Sequence, residues 1–144
     1  MFSKIFPKIH VEGYKFLVIS GIITIVFYIF SDFLALLGLL LTIWVYYFFR
    51  DPERITIDDD NYLVSPADGE VIKVEEVDGP KELNLENKRF KKISIFMNVF
   101  DCHVNRTPCA GKIEEILYKP GKFLNASFDK ASEDNERNYY KIKD

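Results

Sequence analysis

From Tyr14 to Phe30, and again from Phe33 to Phe49, the chain is apolar almost without interruption, broken only by Ser31-Asp32 and carrying one charge near its start, Lys15. At helical rise each stretch reaches the short end of the lengths that cross a hydrocarbon core. The pattern predicts a hairpin of two transmembrane helices. One long tilted helix would instead leave the Asp32 carboxylate near mid-bilayer, where it costs at least a few kcal/mol. Tyr14, Tyr28, Trp44, Tyr46 and Tyr47 fall near the expected ends, as aromatic side chains settle at membrane interfaces.

Lys4, Lys8 and Lys15 precede or open the first span, Arg50 and Arg54 follow the second, and the tip carries only Asp32. Positive residues stay on the cytoplasmic side, so both ends of the hairpin are expected to face the cytosol. A cleaved signal peptide fits less well, because the apolar region far exceeds a signal core and no small-residue cleavage site interrupts it. The expected organisation is a cytoplasmic N-terminus over 1–13, a membrane hairpin over 14–49 and a β-rich portion over 50–144. Its localisation is the cell (inner) membrane, with the β domain on the cytoplasmic face.

Beyond Phe49 the pattern changes. Arg50-Asp51-Pro52-Glu53-Arg54 is charged, and its proline stops the helix. Asp58-Asp59-Asp60-Asn61 is a turn-prone cluster before Tyr62-Leu63-Val64, which is expected to begin a first short strand. Residues 70–77 are rich in β-branched side chains and largely alternating, the signature of a half-buried strand that Gly79-Pro80 ends. Residues 92–97 and 111–118 read as two more strands, the latter closed by Pro120-Gly121. Short strands separated by Gly and Pro turns predict a mainly antiparallel β domain, a sandwich or barrel-like form with minor helix. The polar stretch from Asn125 to Asn138 reads as a surface loop with one helical turn at most.

Composition narrows the possibilities. The portion beyond the apolar block is too short for a second large domain. The formal net charge of -3, with basic and acidic residues interleaved after Arg50, gives no stripe for nucleic acid. Cys102 and Cys109 are too few for a disulfide framework; the sequence leaves a single bridge between them open, and they read as reduced thiols of a cytosolic domain.

Three places could carry chemistry. Ser65-Pro66-Ala67-Asp68-Gly69 is an ideal turn sequence that also presents Asp68. Residues 100–109 hold His103, whose unperturbed pKa suits a general base, although a lone histidine near a strand end is more often structural. Cys102, His103 and Cys109 lack paired zinc-ligand spacing and a fourth ligand, so no metal is expected. The third place, Ser127-Phe128-Asp129-Lys130, matches a bare Ser-x-x-Lys pattern without its companion motifs. Among the basic residues, Arg89, Lys91, Lys92, Arg106, Lys119 and Lys122 could hold a phosphate, against the plainer reading of solvated surface charge.

Taken together, six segments resemble the short, bacterial-type phosphatidylserine decarboxylases. They are Phe48-Phe49-Arg50-Asp51-Pro52 after two spans, Ser65-Pro66-Ala67-Asp68-Gly69, Ile93-Ser94-Ile95-Phe96-Met97, Phe100-Asp101 through Pro108, Tyr118-Lys119-Pro120-Gly121-Lys122-Phe123-Leu124-Asn125-Ala126, and Lys130-Ala131-Ser132 continuing to Asn135-Glu136-Arg137-Asn138. The resemblance implies an enzyme that forms phosphatidylethanolamine from phosphatidylserine by loss of carbon dioxide. It implies a covalent pyruvoyl group made from a serine of the chain itself, no metal, and a mature enzyme of two chains cut from one proenzyme. It also implies that Asp68 and His103 activate that serine for self-cleavage, as a carboxylate and imidazole do in hydrolase triads. Arg106, Lys122 and Asn125 are the expected substrate-binding residues. Longer relatives carry two histidines three residues apart, where this chain has His103 and then Arg106.

No serine here follows a glycine, so the pyruvoyl-forming residue is expected beyond residue 144 and the chain by itself is expected to be inactive. Its expected partners are a membrane phospholipid substrate, the pyruvoyl-bearing α chain of the same proenzyme and, in an oligomer, further copies; nucleic acid is not among them. Two other readings stand beside this one: a non-catalytic membrane-tethered module that binds lipid or a partner, and a decarboxylase of another serine-headed lipid.

Overall fold

In the computed structural model, residues 6–57, 59, 61–125 and 134–143 are described. Lys4, Asp58, Asp60, the Ser127-Phe128-Asp129-Lys130 match and Lys130-Ala131-Ser132 lie outside them. The chain divides into two compact units, Met1–Glu70 with Met97–Pro108, and Val71–Phe96 with Cys109–Asp144.

The first unit is built on two apolar helices, α1 over Gly13–Phe30 and α2 over Asp32–Phe48. Both agree with the apolar runs to within a residue, because the same Ser31-Asp32 interruption that breaks the hydropathy breaks the helix. Ser31 is extended, and its hydroxyl accepts from Phe33 N at 3.2 Å, so it closes one helix and caps the next. By length and composition α1 is long and apolar enough to cross a bilayer; α2 is equally apolar but, at 17 residues, slightly shorter.

The two helices meet along small and hydroxyl-bearing side chains. Ser20 is buried, and the Thr24 and Thr42 hydroxyls lie 3.0 Å apart across the interface. Each also reaches a carbonyl four residues back, Ser20 O at 2.9 Å and Gly38 O at 3.0 Å. A hydroxyl has one proton to give, so one threonine bridges the helices while the other donates within its own. Gly38 permits this approach, since a Cβ there would sit 2.9 Å from Thr24 Cα. Outside this seam the helices expose large apolar side chains such as Ile25, Ile29, Phe30 and Phe33.

A short antiparallel pair joins the ends of the helical region, β1 over Lys8–Ile9 against β2 over Arg50–Asp51. Phe16 and Phe49 stack beside it with centroids 5.0 Å apart. Nothing in the hydropathy announces a two-residue pairing. Tyr62-Leu63-Val64, expected to begin a strand, forms none; Val64 N instead donates to Pro108 O at 2.9 Å as a single tie.

The second unit contains two strand pairs. One joins β3, Glu70–Asp78, to β4, Arg89–Phe96. Between them, a 3-10 turn over Lys81–Leu83 ends at Asn84, which adopts a left-handed φ of 53°. Leu83 is buried there. The other pair is antiparallel, β5 over Lys112–Lys119 with β6 over Arg137–Lys143, and is irregular between Ile113 and Glu115. Strand β6 was not legible in the sequence, because its apolar positions are few and it starts inside the stretch read as a loop. These are small two-stranded sheets, and Val71, Ile72, Val74, Ile93, Ile113 and Ile116 remain exposed on them.

Within this unit Lys119 Nζ donates to Glu82 at 2.7 Å and ties β5 to the 3-10 turn. That bond is the main reason the Glu82 carboxyl is lowered from 4.5 to about 2, with help from a backbone hydrogen bond. A carboxylate depressed in the folded state stabilises it above the unfolded pKa, and the contribution disappears as pH falls towards the folded value. Acid titration is therefore expected to loosen this tie between pH 4.5 and about 2, measured as the Glu82 carboxyl shift by NMR, and Glu82→Gln is expected to remove that titration.

Gly38→Leu is expected to lower the thermal midpoint in detergent micelles, since forcing extra methylenes into a close contact costs about 1–3 kcal/mol. Gly21→Leu, where a Cβ meets nothing within 4 Å, is expected to leave the midpoint almost unchanged.

Candidate active site

The elements that converge in the first unit do so around the chain that leaves α2. As that helix ends, its last carbonyls need partners outside it. Phe48 O accepts from His103 N at 3.5 Å, Phe49 O from His10 N at 2.9 Å, and Arg50 O from the Cys102 thiol at 3.0 Å. Cys102 is completely buried, so its sulfur acts as a small apolar filler that also donates one weak bond. These ties draw residues 97–108 against the end of the helix.

The same segment is tied to the turn carrying Asp68. Arg106 N donates to Pro66 O at 2.8 Å, beside the Val64 to Pro108 bond. Ser65 Oγ donates to Ala67 O at 2.8 Å, and Gly69 takes φ 157°, a conformation that L side chains rarely adopt. The turn is therefore built by its own sequence. It presents the Asp68 carboxylate to Arg54, whose Nη2 pairs with one oxygen while Nε donates to the other at 3.3 Å. This two-pronged contact is the first cause that raises the Arg54 guanidinium above its ordinary value.

A cavity of about 250 Å³ opens here, lined by Arg54, Thr56, Ser65, Asp68, Arg106 and Thr107 among others. Arg106 is also committed, its Nη2 paired with Asp51 and donating to Pro52 O at 2.9 Å. The cavity thus joins two guanidinium-carboxylate pairs, together electrically balanced.

His103 is stacked on Phe48 with centroids 4.1 Å apart and planes 19° from parallel. Its Nδ1 lies 3.1 Å from Asp101 O. A carbonyl has no proton to give, so Nδ1 must be the donor, and in the neutral ring Nε2 carries the free lone pair. Asp101 is itself held by a tight turn, in which its carboxylate accepts from Asn98 N at 2.8 Å and Asn98 Oδ1 accepts from Phe100 N at 2.9 Å. The imidazole is fixed in plane and tautomer by a helix end and a turn.

The structure thus brings Asp68 and Arg106 to one cavity, and joins their turn to the segment of His103 through the backbone. Asp68 and His103 have separate hydrogen-bond partners, Arg54 for the carboxylate and the Asp101 carbonyl for the ring. Lys122 and Asn125 belong to the second unit, where Lys122 pairs with Asp134 at 3.0 Å and Asn135 holds the backbone of Leu124. Sequence reasoning passed over Arg54 and Phe48 as site residues. The charge of Arg54 is accounted for by topology, and Phe48 is one apolar residue of the second run and of a family segment. Among the described residues there is no cluster of three or more His, Cys, Asp and Glu that could hold a metal.

A carboxylate held by arginine and an imidazole oriented by a carbonyl thus lie on segments joined through the backbone near the end of an apolar helix. A sequence model of phosphatidylserine decarboxylase matches residues 41–144. The chain belongs to the phosphatidylserine decarboxylase family. It is 78% identical over 142 residues to a phosphatidylserine decarboxylase proenzyme of Pelagibacter ubique, covering 99% of this chain and 66% of that protein. Proteins of the same description from Ruegeria pomeroyi and Cereibacter sphaeroides are 52% and 48% identical, over 90% and 99% of this chain and 59% and 62% of theirs. The chain therefore spans about three fifths to two thirds of the length of these relatives. No solved structure matches it.

The tautomer is directly testable. Long-range proton-nitrogen NMR at neutral pH is expected to find His103 protonated on Nδ1, and Phe48→Leu, which removes the stacked ring, is expected to reduce that preference measurably.

Proposed function

We propose that the chain is the front part of a phosphatidylserine decarboxylase proenzyme, which forms phosphatidylethanolamine and carbon dioxide from phosphatidylserine. One observation carries this reading: in a chain of this family, the turn presenting Asp68 is hydrogen-bonded to the segment bearing His103 and Arg106. The helices α1 and α2 form a membrane hairpin with both ends in the cytosol, which fits their length, their exposed apolar surface and the Lys and Arg residues at their open end. The β-rich part then lies at the cytoplasmic face of the inner membrane.

The reaction needs a pyruvoyl group made from a serine beyond residue 144, which supplies an electron sink for the pair left behind when the carboxylate departs. The donor set of this chain fits that requirement, because it offers an oriented imidazole and an ionised carboxylate to handle the protons. His103 takes a proton at Nε2, its Nδ1 proton being committed to Asp101 O. Asp68, held by its ion pair with Arg54, gives the serine hydroxyl a nearby carboxylate during self-cleavage. Arg106, Lys122 and Asn125 are the proposed headgroup contacts, with Arg106 exchanging part of its bond to Asp51 for the substrate. The exposed apolar side chains on β3 to β5 are the surfaces that the remaining chain of the proenzyme covers, each buried aliphatic residue contributing about 1.5–3 kcal/mol.

Expression of the complete coding sequence, followed by intact mass spectrometry, tests this. A small chain bearing the present sequence beside a partner with a pyruvoyl-blocked N-terminus is expected. Asp68→Asn and His103→Gln are each expected to slow processing about 100-fold or more, the usual contribution of a positioned acid or base. A single uncleaved product that releases no carbon dioxide from phosphatidylserine vesicles would sink the proposal.

A further inference from the structure

A second concavity of the first unit, of about 400 Å³, lies where α2 ends, walled by Leu40, Ile43, Trp44, Tyr47 and Phe48 of the helix and by Val99 and Phe100 of the neighbouring loop. Its one charged wall residue is Arg50. The loop side chains are left in the open, with Phe100 71% and Val99 54% exposed. These exposed apolar loop residues share the groove with the Trp44 and Tyr47 side chains, residue types that settle at membrane interfaces.

The charge of Arg50 sets it apart from the other arginines of this unit. Arg54 is neutralised by Asp68 and Arg106 by Asp51. The Arg50 guanidinium donates only to carbonyls, Tyr47 O at 2.6 Å through Nη1 and Phe100 O at 3.1 Å through Nη2. Among the described residues no carboxylate forms an ion pair with it, and the carboxylate of Asp101, in the same loop, is turned onto Asn98 N. A guanidinium has five N–H donors, so three remain for an acceptor at the mouth of the groove. A cation without a counter-ion on the wall of an apolar groove has the complementarity of one amphiphile, the groove for an acyl chain and the guanidinium for a phosphate.

We propose that this groove seats one acyl chain of a single anionic membrane phospholipid whose phosphate is held by Arg50. The inference rests on the membrane hairpin proposed above, but on no part of the decarboxylation chemistry. The lipid lies against Phe48, whose ring stacks on His103, so occupancy brings a phospholipid beside that imidazole.

Trp44 is the single tryptophan of the chain and a wall of the groove, so its fluorescence reports occupancy. The full chain would be reconstituted in vesicles containing graded fractions of acyl-brominated phosphatidylserine, phosphatidylglycerol or phosphatidylcholine. Both anionic lipids are expected to quench Trp44 with a relative affinity about fivefold above the choline lipid, the usual effect of one basic residue at an anionic surface. Arg50→Gln is expected to abolish that preference and Arg50→Lys to retain most of it. Lys15→Gln, which removes a positive charge away from the groove, is expected to leave it unchanged. Equal quenching by all three lipids, or the same loss of preference in Lys15→Gln as in Arg50→Gln, would overturn the site alone. Absence of quenching by any brominated lipid would overturn the membrane reading together with it. Neither result depends on whether the complete proenzyme processes itself.

Discussion

The end of α2 is the point on which the first unit depends. A helix cannot satisfy its last carbonyls by itself, and here the partners come from far along the chain: the backbone of His103 and His10 and the thiol of Cys102. The charged residues just past the helix continue the same work. Asp51 and the Pro52 carbonyl receive Arg106, and the Arg50 side chain reaches the Phe100 carbonyl. An apolar helix that stops abruptly thus organises a polar loop by the acceptors it leaves open.

That arrangement links the apolar helix to the candidate site. The imidazole is oriented by Phe48, a residue of the apolar helix, and by a carbonyl within a tight turn. The Asp68 turn is held by backbone bonds to the same segment and by Arg54, just beyond the helix end. Solvent-exposed ion pairs of this kind contribute little to stability, so the importance of the Arg54 contact lies in geometry: a planar fork fixes both carboxylate oxygens at once. The second unit has a different character. Its sheets are two-stranded and leave branched apolar side chains open.

The site was partly legible. Asp68 stood out because Pro66, Asp68 and Gly69 specify a turn whatever else they do, and Gly69 takes a backbone conformation that favours glycine. His103 stood out as a titratable residue in a motif of its family. Arg54 did not, since a charge after an apolar run is adequately explained by membrane topology and nothing local says that it folds back onto Asp68. Phe48 was hidden likewise, as one aromatic residue among several at a helix end. Lys122 and Asn125 were drawn from a family motif; both belong to the second unit, where Lys122 pairs with Asp134.

What the sequence determined by itself is what depends on neighbours along the chain. The two apolar helices and their break at Ser31-Asp32, the turn at residues 65–69, and the strands β3, β4 and β5 arise from periodicity, capping and turn chemistry. The tertiary structure decided what depends on residues distant in sequence. The pairing of Lys8–Ile9 with Arg50–Asp51, the absence of a strand at residues 62–64, the strand Arg137–Lys143, the Arg54 clamp and the stacking of His103 on Phe48 are of this kind. Each is settled by which distant donor meets which open acceptor or which ring meets which face, and hydropathy along a line contains no record of those meetings.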